Sequence, residues 1–507
     1  MAFSILFSEP AVCSRKEPAC FRDLNLDQFL GPLISQEENV DLSPIFWTPL
    51  PSEAQVCYRQ EILKDLRNQE VYSAADEFSR EICSLSRLQT QAVEDLQSGD
   101  PWRCHYLLYG HILDYSQRYV RCLEQLVRQL PRMDLTSEGL QQAAERFQSL
   151  RSSGFYQTMV KAQTDLRRRF DGLHYCMQIR YGTVRVKKLE GEEDLSRKIL
   201  SVFQKFRQEG QRDYRQSLRE DPYADHVEAA VLQCLSKVYP REFQALTAYV
   251  QAFSEFMDQG LLTFCREIRF YLDWIQRTEP LRRAELSFCF PEVHGDLCCN
   301  DFFDLALADR IGKNTVANSA YLKPGQRILV VTGPNQGGKT TFARALGQLH
   351  YLAALGLDVP GTSAQLGLTD QVLTHFEREE AETDTGGRLQ NDLERLRDLL
   401  ETATEKSFVV INEIFASTAA GNAAVLGRKM LRALTRKGVT AVLVTFLSEL
   451  AVDNPAAVSM MSTVDPADAG IRTFRVVRKP PDGRTYAMTL ARRHQLTYEQ
   501  MKRRIQP

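Results

Sequence analysis

No run of about 18 uninterrupted apolar residues occurs in this 507-residue chain, which excludes an ordinary transmembrane helix. Met1–Phe7 carry neither a basic n-region nor a long apolar core, so they do not read as a secretory signal. Cysteine is missing from the C-terminal two-fifths: all twelve fall before residue 300, and none form a C-x-x-C pair. With eight scattered histidines, no zinc pattern emerges, and reduced, mostly buried thiols are expected. The neighbours Cys298 and Cys299 read as incidental rather than as a redox pair. Neither sign of charge prevails, with 63 Lys and Arg against 65 Asp and Glu, so any polyanion contact must come from a local patch. A soluble cytoplasmic protein of about two to four domains is expected.

The chain has two textures. From about residue 60 to 280 it is rich in Leu, Gln, Arg and Glu and poor in Gly and Pro. Apolar residues recur there at helical spacing in Ile62-Leu63-Leu66, Leu107-Leu108-Ile112 and Ile199-Leu200-Val202-Phe203-Phe206. The pattern predicts long helices over Val227–Tyr239 and Phe243–Ile275. Two β-prone runs interrupt it, His174–Arg180 and Thr183–Lys188, around Tyr181-Gly182, and predict a hairpin. Arg185, Lys187 and Lys188, with Arg167–Arg169 and Arg180 nearby, make this the best local phosphate-backbone patch in the chain.

After residue 285, short apolar runs at 327–331, 408–411 and 440–444 alternate with helical patterns at 341–356, 389–404 and 421–437. Such alternation predicts an α/β layer domain. Three segments follow: a 1–55 N-terminal extension, a 56–285 helical module bearing the hairpin, and a 286–507 α/β domain. Gly333-Pro334-Asn335-Gln336-Gly337-Gly338-Lys339-Thr340 follows the first apolar run and opens a helix at Thr341. Strand, glycine loop and helix is the context in which G-x-x-x-x-G-K-[ST] holds the phosphates of a nucleoside triphosphate. Loop N–H groups and the helix dipole converge on the anion. Lys339 would reach the β- and γ-phosphates, and Thr340 would offer its hydroxyl to Mg²⁺. Asn412-Glu413, ending the apolar run Phe408–Ile411, stands where P-loop ATPases order Mg²⁺ and polarise the attacking water.

Thr332–Leu450 resembles the ATPase domain of the MutS family of DNA mismatch-recognition proteins. The family loop TGPNMGGKST stands here as TGPNQGGKTT. The likeness continues through Leu355–Pro360 (I-G-x-x-V-P), Gly367–Asp370 (G-x-I-D), Ala403–Ser407 (A-T-x-x-S) and Thr445–Leu450 (T-H-x-x-E-L). The resemblance implies an N-terminal helical core and lever module followed by an ABC-like P-loop ATPase domain that uses ATP and Mg²⁺. It also implies duplex DNA as partner and a dimer, of this chain or with a paralogue, in which each signature loop completes the other subunit's site. Lys339 and Glu413 would be catalytic, Thr340 and Asn412 would form the Mg²⁺ shell, and Asn318 would lie near the adenine.

The departures from the family pattern bear on turnover. Asn412 replaces a Mg²⁺-ordering Asp and brings no charge. Phe446 replaces a switch His and cannot hydrogen-bond to a γ-phosphate. Gly387-Arg388-Leu389 stands at the signature Ser-Thr-Phe, and Arg388 could act as an arginine finger toward a facing subunit. Asp392 stands where a Glu is usual, and beyond Glu413 only Thr418 keeps the family register. Phe155-Tyr156-Gln157 imitates the mismatch-reading Phe-x-Glu wedge but reads as helix core. The residues before 60 leave no room for a wedge domain. Two rivals remain open: an ATPase acting on branched DNA or structured RNA, and a nucleotide-gated scaffold with little hydrolysis.

Overall fold

The structure, a computed structural model, describes residues 3–9, 12–34, 41–98, 104–180, 183–191, 198–199, 201–202, 226–377, 388–415, 418–452, 454–468, 471–481, 497–498 and 501–502. The chain packs as two compact units. One comprises 1–3, 73–134 and 141–266, the other 4–72, 135–140 and 267–507.

The first unit is built of long amphipathic helices, His105–Gln129, Gly154–Asp171, His226–Val238 and Pro240–Phe253 among them. Rings close its interior: Phe147 meets Phe78 at 5.7 Å and Phe264 at 5.0 Å, and Tyr119 meets Phe256 at 5.4 Å. A buried polar knot sits among them. The Ser116 and Tyr249 hydroxyls lie 2.6 Å apart, and both approach the Gln163 side-chain oxygen at 3.4 Å. Tyr156 is buried in the helix 154–171, while Phe155 stays half-exposed against Phe253.

The single helix expected over Phe243–Ile275 is in fact two, Pro240–Phe253 and Gln259–Arg283. Asp258 causes the break. Its carboxylate accepts from the Leu261 N–H at 2.8 Å, an N-cap that starts a new helix. The Ser254 carbonyl at the break accepts the Gln89 amide at 2.5 Å. The 199–206 helical pattern falls mostly outside the described residues.

The second unit holds a six-stranded sheet in the order Arg472–Arg478, Ala457–Val464, Ile328–Thr332, Thr440–Val444, Phe408–Asn412, Val372–His375. All neighbours are parallel except the first pair. The strands expected at 327–331, 408–411 and 440–444 are therefore its centre, and buried on both faces they read as unbroken apolar runs. Period-two alternation sorts their side chains. Ile328, Val330, Val409 and Ile411 join Leu396, Leu399, Met430 and Leu434 of the helices Arg388–Thr402 and Ala420–Arg436. Phe408 faces the opposite side, where the loop's own helix, Lys339–Ala354, lies with the His350 ring stacked 3.7 Å from it. Asn412 shares that face, which turns its amide toward the loop.

The first residues of the chain pack onto the same helix. Arg344 donates to the Asp23 carbonyl at 2.8 Å, Gln348 to the Leu24 carbonyl at 2.8 Å, and Tyr351 to the Phe46 carbonyl at 2.7 Å. Gly347 is required beneath them, since a Cβ there would come 2.6 Å from Leu24 Cδ2. Among the described residues, no helix is long and apolar enough to cross a membrane.

Candidate nucleotide-binding site

The loop leaves the sheet at Thr332 and turns back into its helix at Lys339. Gly333 and Gly338 hold φ of 123° and 85°, open to glycine at little cost, and Gln336 also sits in the left-handed region at 59°. The backbone thus wraps a concavity at the N-terminus of a 16-residue helix, a natural anion site. Lys339 is only 4% exposed. Its ammonium donates to the Gly333 and Pro334 carbonyls at 3.2 and 3.1 Å and lies 4.6 Å from the centre of the Phe446 ring. Burial pushes its pKa down from the ordinary value, Glu413 pulls it back up, and Arg472 lowers it further. Arg472 itself donates to the Asn335 carbonyl at 3.2 Å.

Across the loop, the Thr340 hydroxyl donates to the Asn412 side-chain oxygen at 2.9 Å. The two residues expected to share Mg²⁺ are thus already adjacent. A hydroxyl and an amide oxygen fit the water shell of a magnesium ion, which usually keeps several waters, but add no negative charge. Glu413 follows with φ of 55°, its N–H bonded to the Val444 carbonyl at 3.0 Å, and Phe415 has φ of 60°. Two left-handed non-glycine residues so close together store backbone strain, of the kind concentrated at working sites.

Asn335–Phe342, Glu413 and Phe446 line a cavity of about 470 Å³. Phe303, Leu307, Ile311, Val316 and Phe474 make another part of it apolar. A phosphate-binding loop and apolar lining in one cavity suit a nucleotide. Asn318 lines the cavity, with its amide engaged: its oxygen accepts from the Val476 N–H at 2.7 Å and its nitrogen donates to the Phe474 carbonyl at 3.3 Å. The apolar lining, Phe474 included, was missed in the sequence, because its members come from two distant stretches, 303–316 and the strand at 474, without a motif.

The remaining expected residues are not among those that line this cavity. Arg388 opens the helix 388–402, and its side chain is outside the description, as are the residues just before it. Asp392 on that helix lies 3.5 Å from buried His375. The hairpin pairs Tyr175–Arg180 with Thr183–Lys188 in antiparallel register. Arg185 and Lys187 share one face by alternation, and Lys188 lies on the other with its ammonium 5.3 Å from the centre of the Tyr239 ring.

Loop, helix, parallel sheet and strand-end carboxylate together define an ABC-like P-loop ATPase domain. Residues 329–503 match the family model for MutS domain V. The chain is 34% identical over 192 residues to "Endonuclease MutS2" of Thermus thermophilus, covering 38% of this chain and 26% of that protein. It is 27% identical over 186 residues to "DNA mismatch repair protein MutS 1" of Haloarcula marismortui, covering 35% and 20%. With "DNA mismatch repair protein MutS" of Thermotoga petrophila it shares 29% over 147 residues, covering 28% and 18%. The chain spans about a quarter of the length of the curated relatives it matches. Residues 329–503 of this chain thus match a MutS domain V.

Proposed function

We propose that this chain binds ATP with Mg²⁺ and couples binding and slow hydrolysis to duplex or mismatched DNA, working as a dimer. The observation that carries the reading is that Lys339, Thr340 and Glu413 line one cavity of roughly 470 Å³, with Thr340 bonded to Asn412 behind them. Lys339 and the amides of Gly333–Thr341 would hold the phosphates. Thr340 and Asn412 would order the Mg²⁺ waters, and Glu413 would polarise the attacking water. Mg²⁺, when bound, neutralises charge developing on the phosphates.

DNA enters this reading through the names of relatives, "DNA mismatch repair protein" among them, and through the exposed Arg185 on the hairpin. Such contacts would be mainly to the backbone and therefore salt-sensitive. Asn412 and Phe446 support the second reading, a nucleotide-gated scaffold with little turnover. Steady-state ATP hydrolysis with linear, mismatched and branched DNA, against Lys339→Ala as blank, separates the readings. Stimulation by one DNA supports coupling and names its preferred structure. Bound ATP without turnover above the blank replaces the first reading with the second.

A further inference from the structure

Arg472 opens the edge strand Arg472–Arg478 and reaches back to the phosphate loop, where its Nε donates to the Asn335 carbonyl at 3.2 Å. The strand is shaped for that reach. Val464 pairs with Arg472 and Ser462 with Val476, so residues 473–475 stand against Thr463 alone. Such a bulge re-aims the side chains beside it. Phe474 within it takes a left-handed φ of 57°, and a Cβ on Gly338 would meet its carbonyl oxygen at 3.5 Å. The Asn318 side chain bonds the strand on both sides of Arg475, at the Phe474 carbonyl and the Val476 N–H. The strand thus lies against the loop at Asn335 and at Gly338.

The charge placed there matters to the site. Thr340 and Asn412, the pair positioned for Mg²⁺, are both uncharged. Glu413 is the carboxylate whose field reaches Lys339, and Arg472 is the cation that opposes it. Asp304 also lines the cavity, but its carboxylate accepts from the Leu307 N–H at 2.7 Å and the Gln348 amide at 3.1 Å, and Arg344 and Arg310 act on it. Lys339 and Arg472 therefore stand at the loop against Glu413. An uncomplexed triphosphate carries more negative charge than its Mg²⁺ complex, so it gains more from a second cation.

We propose that Arg472 is the second cation of the phosphate site, and that with it the loop grips a polyphosphate that carries no metal. Lys339 holds the phosphates directly. Arg472 fixes the loop at Asn335 and adds positive charge beside it, so it is a positioning residue and not a catalytic one. The proposal rests on the reading of this cavity as a nucleotide site.

The test measures equilibrium binding of ATP and of inorganic tripolyphosphate to the full chain, each with Mg²⁺ and with EDTA, at low and high salt. Arg472→Gln keeps a hydrogen-bond donor and removes the charge; Arg472→Lys keeps the charge. The wild type should bind both ligands in EDTA within about 10-fold of its affinity in Mg²⁺. Arg472→Gln should weaken binding in EDTA by about 10-fold and in Mg²⁺ by about 3-fold or less, with a flatter salt dependence. Arg472→Lys should stay within about 3-fold of the wild type. Unchanged binding by Arg472→Gln, or equal losses in EDTA and Mg²⁺, would overturn the proposal, because a purely structural clamp does not sense ligand charge. So would a lysine variant as weak as the glutamine one, or a wild type that binds only with Mg²⁺. A wild type that binds neither ligand under any condition overturns the nucleotide reading itself, a result distinct from these.

Discussion

The three strand ends that supply this site differ in what they offer. At the end of 328–332 stand the groups that the proposed phosphate grip uses: the glycines with positive φ, the buried Lys339 and the Thr340 hydroxyl. At the ends of 408–412 and 440–444, an amide stands where a carboxylate would order the metal, and Phe446 covers the lysine. Holding a nucleotide and breaking it are thus separable demands. The first needs loop geometry and positive charge; the second needs charge placed where the transition state develops it.

The largest expected effect falls on the intact side. Lys339→Ala removes the buried cation, and ATP affinity should drop by about 100-fold or more in equilibrium titration. A loss under about 5-fold would mean that the loop amides alone hold the phosphates. Next, Glu413→Gln should lower whatever turnover the protein has by about 100-fold while ATP affinity stays within about 2-fold. If affinity collapses as well, the carboxylate is part of the grip and the two sides are not separable. Asn412→Asp should raise Mg²⁺ affinity by about 10-fold, read as the Mg²⁺ dependence of ATP binding. No change would place the metal away from Asn412.

A smaller effect tests the support behind the loop. His350 is buried on the loop's helix, with one ring nitrogen 2.8 Å from the Thr369 oxygen and the other without a partner among the described residues. Burial holds its pKa down at about 3, so it stays neutral in the folded state. The unfolded chain takes up that proton below about pH 6.5 and the folded chain does not, so stability is full above that value and is lost as pH falls through it. Between pH 7 and pH 6 this residue should cost about 0.5–1 kcal/mol in denaturant titration, and His350→Leu should remove its share. An unchanged pH dependence in the variant would mean that other groups set it.

How much of this was legible follows from where each signal lives. The loop, its helix and three central strands were readable because unbroken apolar runs beside a glycine motif have few other meanings. The strand 472–478 was not, since Arg472, Arg475 and Arg478 on a sheet edge blur any apolar pattern. Asp258 hid a helix break inside an otherwise continuous helical run, and only a reading of Asp-x-x as an N-cap could have found it. The hydrogen bonds that tie Asp23, Leu24 and Phe46 to the loop's helix go to their backbone carbonyls, which carry no side-chain signature. Arg472 was invisible as part of the site for the same reason, since its bond goes to the Asn335 carbonyl.

The most direct test of separable grip and turnover pairs the wild type with the double variant Asn412→Asp, Phe446→His. ATP affinity and steady-state hydrolysis are measured on the same samples. The expected result is affinity alike within a few-fold and turnover at least about 10-fold faster in the double variant. Equal turnover in the two, with ATP bound by both, would contradict the account, because the amide and the phenyl ring would then not be what limits the chemistry.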